Sequence, residues 1–260
     1  MSRAELLTSV AEALESTPEQ LPVVNELLAD LEELGMSVET ALTLMRQTGL
    51  PAGARVLDPG SGKGAIAIAM ARKLALQVHG VDGFSPFVAH ARQRASQAGV
   101  EGLCHFEHGD LRLNCQQARH YDAVIYSSVG WQLFGGIRQT LAALRSTVRP
   151  GGWILIEEGV IREDAEEPEA MADLAATRQA LTAHGDRIAG EVILPLAELR
   201  AINAANNRAI EARARTLLAR QPGLKTAVDS WINRQYRECE WLERNFTDVA
   251  WLLQRGPTSR

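Results

Sequence analysis

The chain has 260 residues, 46% of them hydrophobic and 23% charged, with a formal net charge of -5. This is an ordinary globular composition, long enough for one large domain or a medium domain with a helical addition. Weak acidity without a concentrated basic patch argues against tight nucleic-acid binding.

The N-terminal stretch MSRAELLTSVAEALESTPEQ carries acids through its apolar positions and lacks a small-residue cleavage site, so it does not read as a secretory signal. No apolar run reaches the roughly 20 residues needed to span a bilayer. The three cysteines, Cys104, Cys115 and Cys239, are widely spaced and form no C-x-x-C pair. That usage predicts reduced thiols, and with them a cytoplasmic protein that has no membrane partner.

The first fifty residues read as helices. Leu6, Leu7, Val10, Ala11 and Leu14 recur at helical spacing, as do Val24, Leu27, Leu28 and Leu31, with Pro18 and Pro22 between the two runs. A third helix is predicted from Val38 to about Gln47. From residue 55 short apolar strands alternate with helical patterns. Strands are predicted over 55–57, 77–81, 103–107 and 121–126, and helices over 65–74 and 87–98. A helix carrying Ile137, Leu141, Leu144 and Val148 follows, and RPGG at 149–152 turns into the strand WILIEE. Such alternation predicts parallel strands with right-handed crossovers, hence an α/β, doubly wound, mostly parallel sheet. The acidic stretch at 162–169 reads as a solvated loop before a helix over about 168–183. A strand over 186–194, helices over 196–221 and 229–244, and a last strand over 246–254 complete the chain. The domain reading is an N-terminal helical cap at 1–50 and one domain at 51–260. A helical insertion at about 196–244 is placed before the last strand as a lid.

The stretch RVLDPGSGKGA, residues 55–65, resembles a nucleotide-binding loop. A Walker loop fails, because aligning Gly62-Lys63 puts Leu57 at the first glycine and Gly64 where a hydroxyl belongs. A dinucleotide fingerprint is met by Gly60, Gly62 and Ala65, with Asp82 at the end of the second strand. Charge separates the remaining ligands. A carboxylate at Asp58, two residues before the first glycine, opposes a pyrophosphate drawn to the helix N-terminus. It suits a ligand with an ammonium and a sulfonium, whose own carboxylate the loop N–H groups could receive.

At this point the sequence resembles the class I S-adenosylmethionine-dependent methyltransferases, closest to bacterial small-molecule-type members. VLDPGSGKG is similar to the first motif of that family, D-x-G-x-G-x-G, through Asp58, Gly60, Gly62 and Gly64. VHGVD, HFEHGDLR, YDAVIYSS and VRPGGWILIEE resemble the following segments in order. The likeness is tight over about 55–158 and looser over 186–254. It implies a Rossmann-like methyltransferase fold with a seven-stranded sheet, S-adenosyl-L-methionine as cofactor and S-adenosyl-L-homocysteine as product. By the same resemblance Asp58, Gly60, Ser61, Gly62, Asp82, Gly83, Phe84, Asp110, Leu111 and Ser127 would bind the cofactor. Asp82 would hold the ribose hydroxyls, Asp110 the adenine amino group and the Leu111 N–H the ring. Gly83 stands where the family often has an apolar residue, so Phe84 is expected to take over adenine stacking.

The fourth strand is not followed by an NPPY-like tetrapeptide, which argues against DNA or protein amide methylation. SSVGWQLFGG resembles the segment of small-molecule-type members in which an aromatic borders the acceptor, which makes Trp131 an acceptor wall or a plain core residue, with Trp231 and Tyr236 as further walls or helix-packing residues. Glu157 and Glu158 end the fifth strand, where open sheets place ligands, and are the choices for a general base if one is needed. Alternation sends one of the pair toward the crevice and the other away. Lys63 reads as a solvated residue of the first helical turn. The histidines suggest no metal site: 105 and 108 face opposite sides of a strand, and His79 reads as a satisfied core residue. No G-x-S-x-G elbow supports a hydrolase. The expected function is methyl transfer to an O, N, S or C atom of a small molecule. RNA methylation, a NAD-dependent oxidoreductase and a non-catalytic cofactor-binding protein are the alternatives.

Overall fold

The computed structural model describes residues 3–116, 120–166 and 172–257. It is built from helices α1 (Arg3–Ala13), α2 (Leu21–Leu27) and α3 (Val38–Arg46), then β1 (Arg55–Pro59), α4 (Ala65–Leu74), β2 (Gln77–Asp82), α5 (Ser85–Gln97) and β3 (Cys104–His108). After these come α6 (Leu111–Cys115), β4 (Tyr121–Ser127), α7 (Ile137–Thr147), β5 (Val148–Ile161), α8 (Leu174–Thr182) and β6 (Arg187–Ile193). The chain ends with α9 (Leu196–Arg220), α10 (Lys225–Asn245) and β7 (Phe246–Gln254).

The sheet has seven strands in the order β3-β2-β1-β4-β5-β7-β6. Strands β1 to β5 pair in parallel, and β6 runs antiparallel to β7. This is the doubly wound architecture that strand and helix alternation predicts, and its order reverses between β1 and β4, where such sheets open a crevice at the strand C-termini. Val56, Val78, Phe106, Ala123, Ile125 and Leu155 put one face of the sheet into a single core with α3, α4 and α5. Ser37 starts α3, its side chain accepting the Thr40 N–H.

Three local features differ from the sequence expectation. Strand β5 runs through RPGG and does not begin after it, because Gly151 donates to the Arg255 carbonyl at 3.0 Å and so stays laddered. A register shift between Tyr121 and Ala123 absorbs the extra residues. The short helix α6 and the 3-10 turn Trp131–Phe134 were not foreseen, since neither is long enough to show a period. The start of the helix expected from residue 168 lies outside the described residues, and α8 is seen from Leu174.

The chain divides into two compact units. One comprises Met1–Glu32, Ile161–Met171 and Leu194–Thr247, and contains helices α1, α2, α9 and α10. In it α9 packs with α10 and α2, and Arg213 donates from Nε to the Glu26 carbonyl and from Nη2 to its carboxylate, both at 3.0 Å. The other comprises Glu33–Val160, Ala172–Ile193 and Asp248–Arg260 and holds the sheet core and the site below. Among the described residues no helix is long and apolar enough to cross a membrane, and all three cysteines are free and buried.

Candidate active site

The apolar run of β1 carries Asp58 into the interior as the partner of Gly80 on β2, and leaves it 4% exposed. Burial first, and the neighbouring Asp82 carboxylate second, push its carboxyl up to about 7. The chain then turns sharply. Gly60 has φ +88, and an added Cβ there would meet Val129 Cγ2 at 2.4 Å, so only glycine fits. The Gly60 and Ser61 N–H groups donate to the Val81 carbonyl at 2.8 and 3.1 Å, and Gly62 donates to Asp82 Oδ2 at 2.8 Å. These three N–H groups are thus committed inside the protein. The expectation that the loop could offer them to a ligand carboxylate is corrected by that bonding. Ser61 Oγ, in contrast, is buried with no hydrogen-bond partner.

Asp82 holds the turn from both sides, since its Oδ1 also accepts the Phe84 N–H at 2.8 Å. Burial raises its pKa, while the Phe84 and Gly62 N–H groups and His108 act in the opposite direction. Gly83 is buried, and its carbonyl lies 3.1 Å from His108 Nε2. The Phe84 ring is 6% exposed and packs edge-on against Phe87, with centroids 4.8 Å apart. Asp110 caps α6, accepting the Arg112 N–H at 3.0 Å and its Nε at 3.1 Å, and Leu111 follows half-buried. Lys63 is not solvated as expected but 3% exposed. The reason is α5, which packs on this turn: Phe87 lies 5.5 Å from the Lys63 ammonium, and Arg94 donates to its carbonyl.

The register pairs Ser127, the last residue of β4, with Glu157; β5 continues beyond this point to Ile161, so Glu157 and Glu158 do not end that strand as expected. Ser127 and Ser128 both donate to Glu157 Oε2, at 3.0 and 2.7 Å. Burial first, and the Asp248 carboxylate second, push Glu157 up to about 7 against the pull of those hydroxyls. Glu158 is pushed to about 8 by burial and by Glu157. Its Oε1 accepts the Gly159 N–H at 3.2 Å, and its Oε2 is buried with no partner. Side chains alternate along each strand, and Val56 is level with Ala123. Asp58, Ser127 and Glu157 therefore project from one face and Glu158 from the other. Asp82 shares the face of Asp58 through Gly80.

Two contributors were missed. Asp248 on β7 was legible only as part of an alternating strand. The segment before α3 reaches across to β4, where the Met36 N–H donates to Ser127 Oγ at 3.1 Å and Leu34 lies beside Gly62, a contact no sequence signal announces. The three aromatic residues expected as acceptor walls or packing residues each have defined surroundings. Trp131 is 7% exposed at the head of the 3-10 turn, with its carbonyl accepting the Thr140 hydroxyl at 3.1 Å. Trp231 is 2% exposed within the helical unit and donates from its indole to the Leu14 carbonyl at 3.0 Å, a packing role. Tyr236 is exposed, bonded to Glu211 at 2.6 Å.

Comparison with known proteins agrees with this architecture. Residues 56–152 match a family model described as a methyltransferase domain. The Escherichia coli (strain K12) protein YjhP is 31% identical over 149 residues, a match spanning 56% of this chain and 59% of that protein. The crystal structure of a SAM-dependent methyltransferase from Thiobacillus denitrificans, in complex with S-adenosyl-L-homocysteine, superposes with a TM-score of 0.76. It is 22% identical, over 90% of this chain and 98% of that one. A SAM-dependent methyltransferase from Geobacter sulfurreducens, also in complex with S-adenosyl-L-homocysteine, gives 0.74 at 22% identity over 90% and 98%. Residues 56–152 thus resemble a methyltransferase domain, and the chain shares the Rossmann-like fold of these solved methyltransferases.

Proposed function

We propose that this chain is an S-adenosylmethionine-dependent methyltransferase acting on a small-molecule acceptor. The observation that carries the reading is the pair of carboxylates, Asp58 buried and Asp82 half-buried, on one face of the sheet on either side of a glycine turn. Two acids there repel a pyrophosphate and attract an ammonium or sulfonium. The orphaned Ser61 Oγ is a further polar group in need of a partner. The methyltransferase domain match and the methyltransferase neighbours support the same cofactor.

When bound, S-adenosylmethionine supplies a methyl group on a sulfonium, an already activated leaving group. The work left to the chain is alignment and exclusion of water. Asp82 retains lone pairs for the ribose hydroxyls beyond the two it offers Gly62 and Phe84. Asp58 faces the positive end. Gly83, Asp110 and Leu111 border the adenine. Phe84, tied edge-on to Phe87, serves as a wall more than a stacking plate. Glu157 shares the face of Asp58, and with its carboxyl at about 7 it is suited to take a proton from an acceptor near neutral pH. Glu158 projects away and is the weaker choice. The acidic surroundings and the net charge of -5 favour a small acceptor over RNA.

The test incubates the protein with isotopically labelled S-adenosylmethionine and a metabolite extract and follows the label by mass spectrometry. Alongside, S-adenosylhomocysteine is expected to raise the melting temperature and NADH to leave it unchanged. Stabilisation by NADH alone would overturn the reading, and cofactor binding without label transfer would reduce it to a binding protein.

A further inference from the structure

Away from the crevice, the β2 and β3 pairing creates a second cluster. Register sets His79 directly beside His105, and Glu107, two residues on, projects from the same side of β3. Their ring centroids lie 5.3 Å apart, and His79 Nε2 is 3.1 Å from Glu107 Oε2. Among the described residues this is the one group of three His, Cys, Asp or Glu side chains whose donor atoms all lie within 4.8 Å of one another. The other ring nitrogen, His79 Nδ1, is 2.7 Å from the Tyr121 hydroxyl. That ring is itself held under Arg55, whose guanidinium carbon is 5.0 Å from its centroid.

From this we infer that His79, His105 and Glu107 form a binding site for a borderline divalent transition metal, with zinc as the best fit. Two imidazoles and a carboxylate are a zinc-type donor set. Two ligands each about 2.05 Å from one ion stand roughly 3.1–3.4 Å apart at angles of about 100–109°, the separation His79 and Glu107 already have. His105 is exposed and Glu107 is 47% exposed at its side chain, so both can close the remaining distance by rotamer adjustment, and an ion can enter. The contact from Tyr121 to Nδ1 is the outer-sphere partner that aims Nε2 at the ion. Three protein ligands leave a position for water. Because β3 is the sheet edge, the site clamps that edge to β2.

The experiment uses the full chain with any affinity tag removed, stripped with EDTA and titrated with zinc and with cobalt(II). Expected are one ion per chain and cobalt visible bands without a thiolate charge-transfer band. The melting temperature should rise with zinc. H105A and E107Q should weaken zinc binding at least as much as Y121F, for which about tenfold is expected. E107Q keeps an acceptor for His79, so a merely structural hydrogen bond would survive it. Unchanged melting temperatures of the variants in EDTA show that they fold. Absence of stoichiometric uptake, a thiolate band, or binding indifferent to H105A and E107Q would each overturn the inference.

Discussion

The carboxylate of Asp82 accepts the backbone N–H of Gly62 at 2.8 Å, tying the end of β2 to the turn that follows β1 across twenty residues of sequence. The same side chain holds the Phe84 N–H, so one residue positions both loops at the mouth of the crevice. Its removal costs more than one contact.

Asp82→Ala is therefore expected to weaken S-adenosylhomocysteine binding by about 10- to 100-fold. Hydrogen bonds to a charged group are worth about 1.5–3 kcal/mol, and 1.4 kcal/mol is tenfold. Calorimetry decides it, and an unchanged affinity would remove Asp82 from the site.

Stability should fall as pH rises. Asp58 is raised from 3.8 to about 7, so between those values the folded chain binds its proton more tightly than the unfolded chain does. Glu157 and Glu158, raised to about 7 and about 8, extend the same loss upward. Melting temperature measured from pH 4.5 to 8 should decline, and Asp58→Asn should flatten the slope. S-adenosylmethionine should stabilise the wild type more at pH 8 than at pH 5, since it brings positive charge to ionised acids. A pH-independent ligand effect would speak against the electrostatic reading.

Gly64→Ala should destabilise the fold by about 2–4 kcal/mol, from a left-handed backbone combined with overpacking. Gly64 has φ +77, and an added Cβ would stand 2.7 Å from Phe106 and 3.0 Å from Ala91. Urea denaturation measures this, and a cost below 1 kcal/mol would mean the turn relaxes freely.

Glu157→Gln tests the proton acceptor. Once label transfer has identified an acceptor, the wild-type rate should rise with pH through about 7. The variant should lose that limb and about 10²–10⁴ in rate. An unaltered profile would leave Glu157 as a partner of Ser127 and Ser128 only.

Trp231→Ala should cost about 3–5 kcal/mol, as for a buried aromatic, without changing cofactor affinity. Trp231→Phe should recover most of the loss apart from the bond to the Leu14 carbonyl. A selective change in acceptor KM at unchanged stability would instead return Trp231 to the acceptor wall.

The strands and helices of the sheet core were legible because each is a local pattern. Val56 and Leu57 announce β1, Ile137, Leu141 and Leu144 announce α7, and β7 has the bounds the alternation predicts. The glycine turn and its acids were legible too, since they lie within one short stretch. Lys63 was misread because its burial depends on Phe87 and Arg94 of α5, which no property of the turn itself encodes.

By itself the sequence determined the alternating α/β architecture and the acid-flanked glycine turn, since periodicity and charge act between near neighbours along the chain. Tertiary structure alone decided which N–H groups remain to a ligand, that Glu157 and not Glu158 shares the face of Asp58, and that His79 meets His105. Those outcomes follow from strand register and from contacts such as Met36 with Ser127, 91 residues apart, which are set only when distant segments pack.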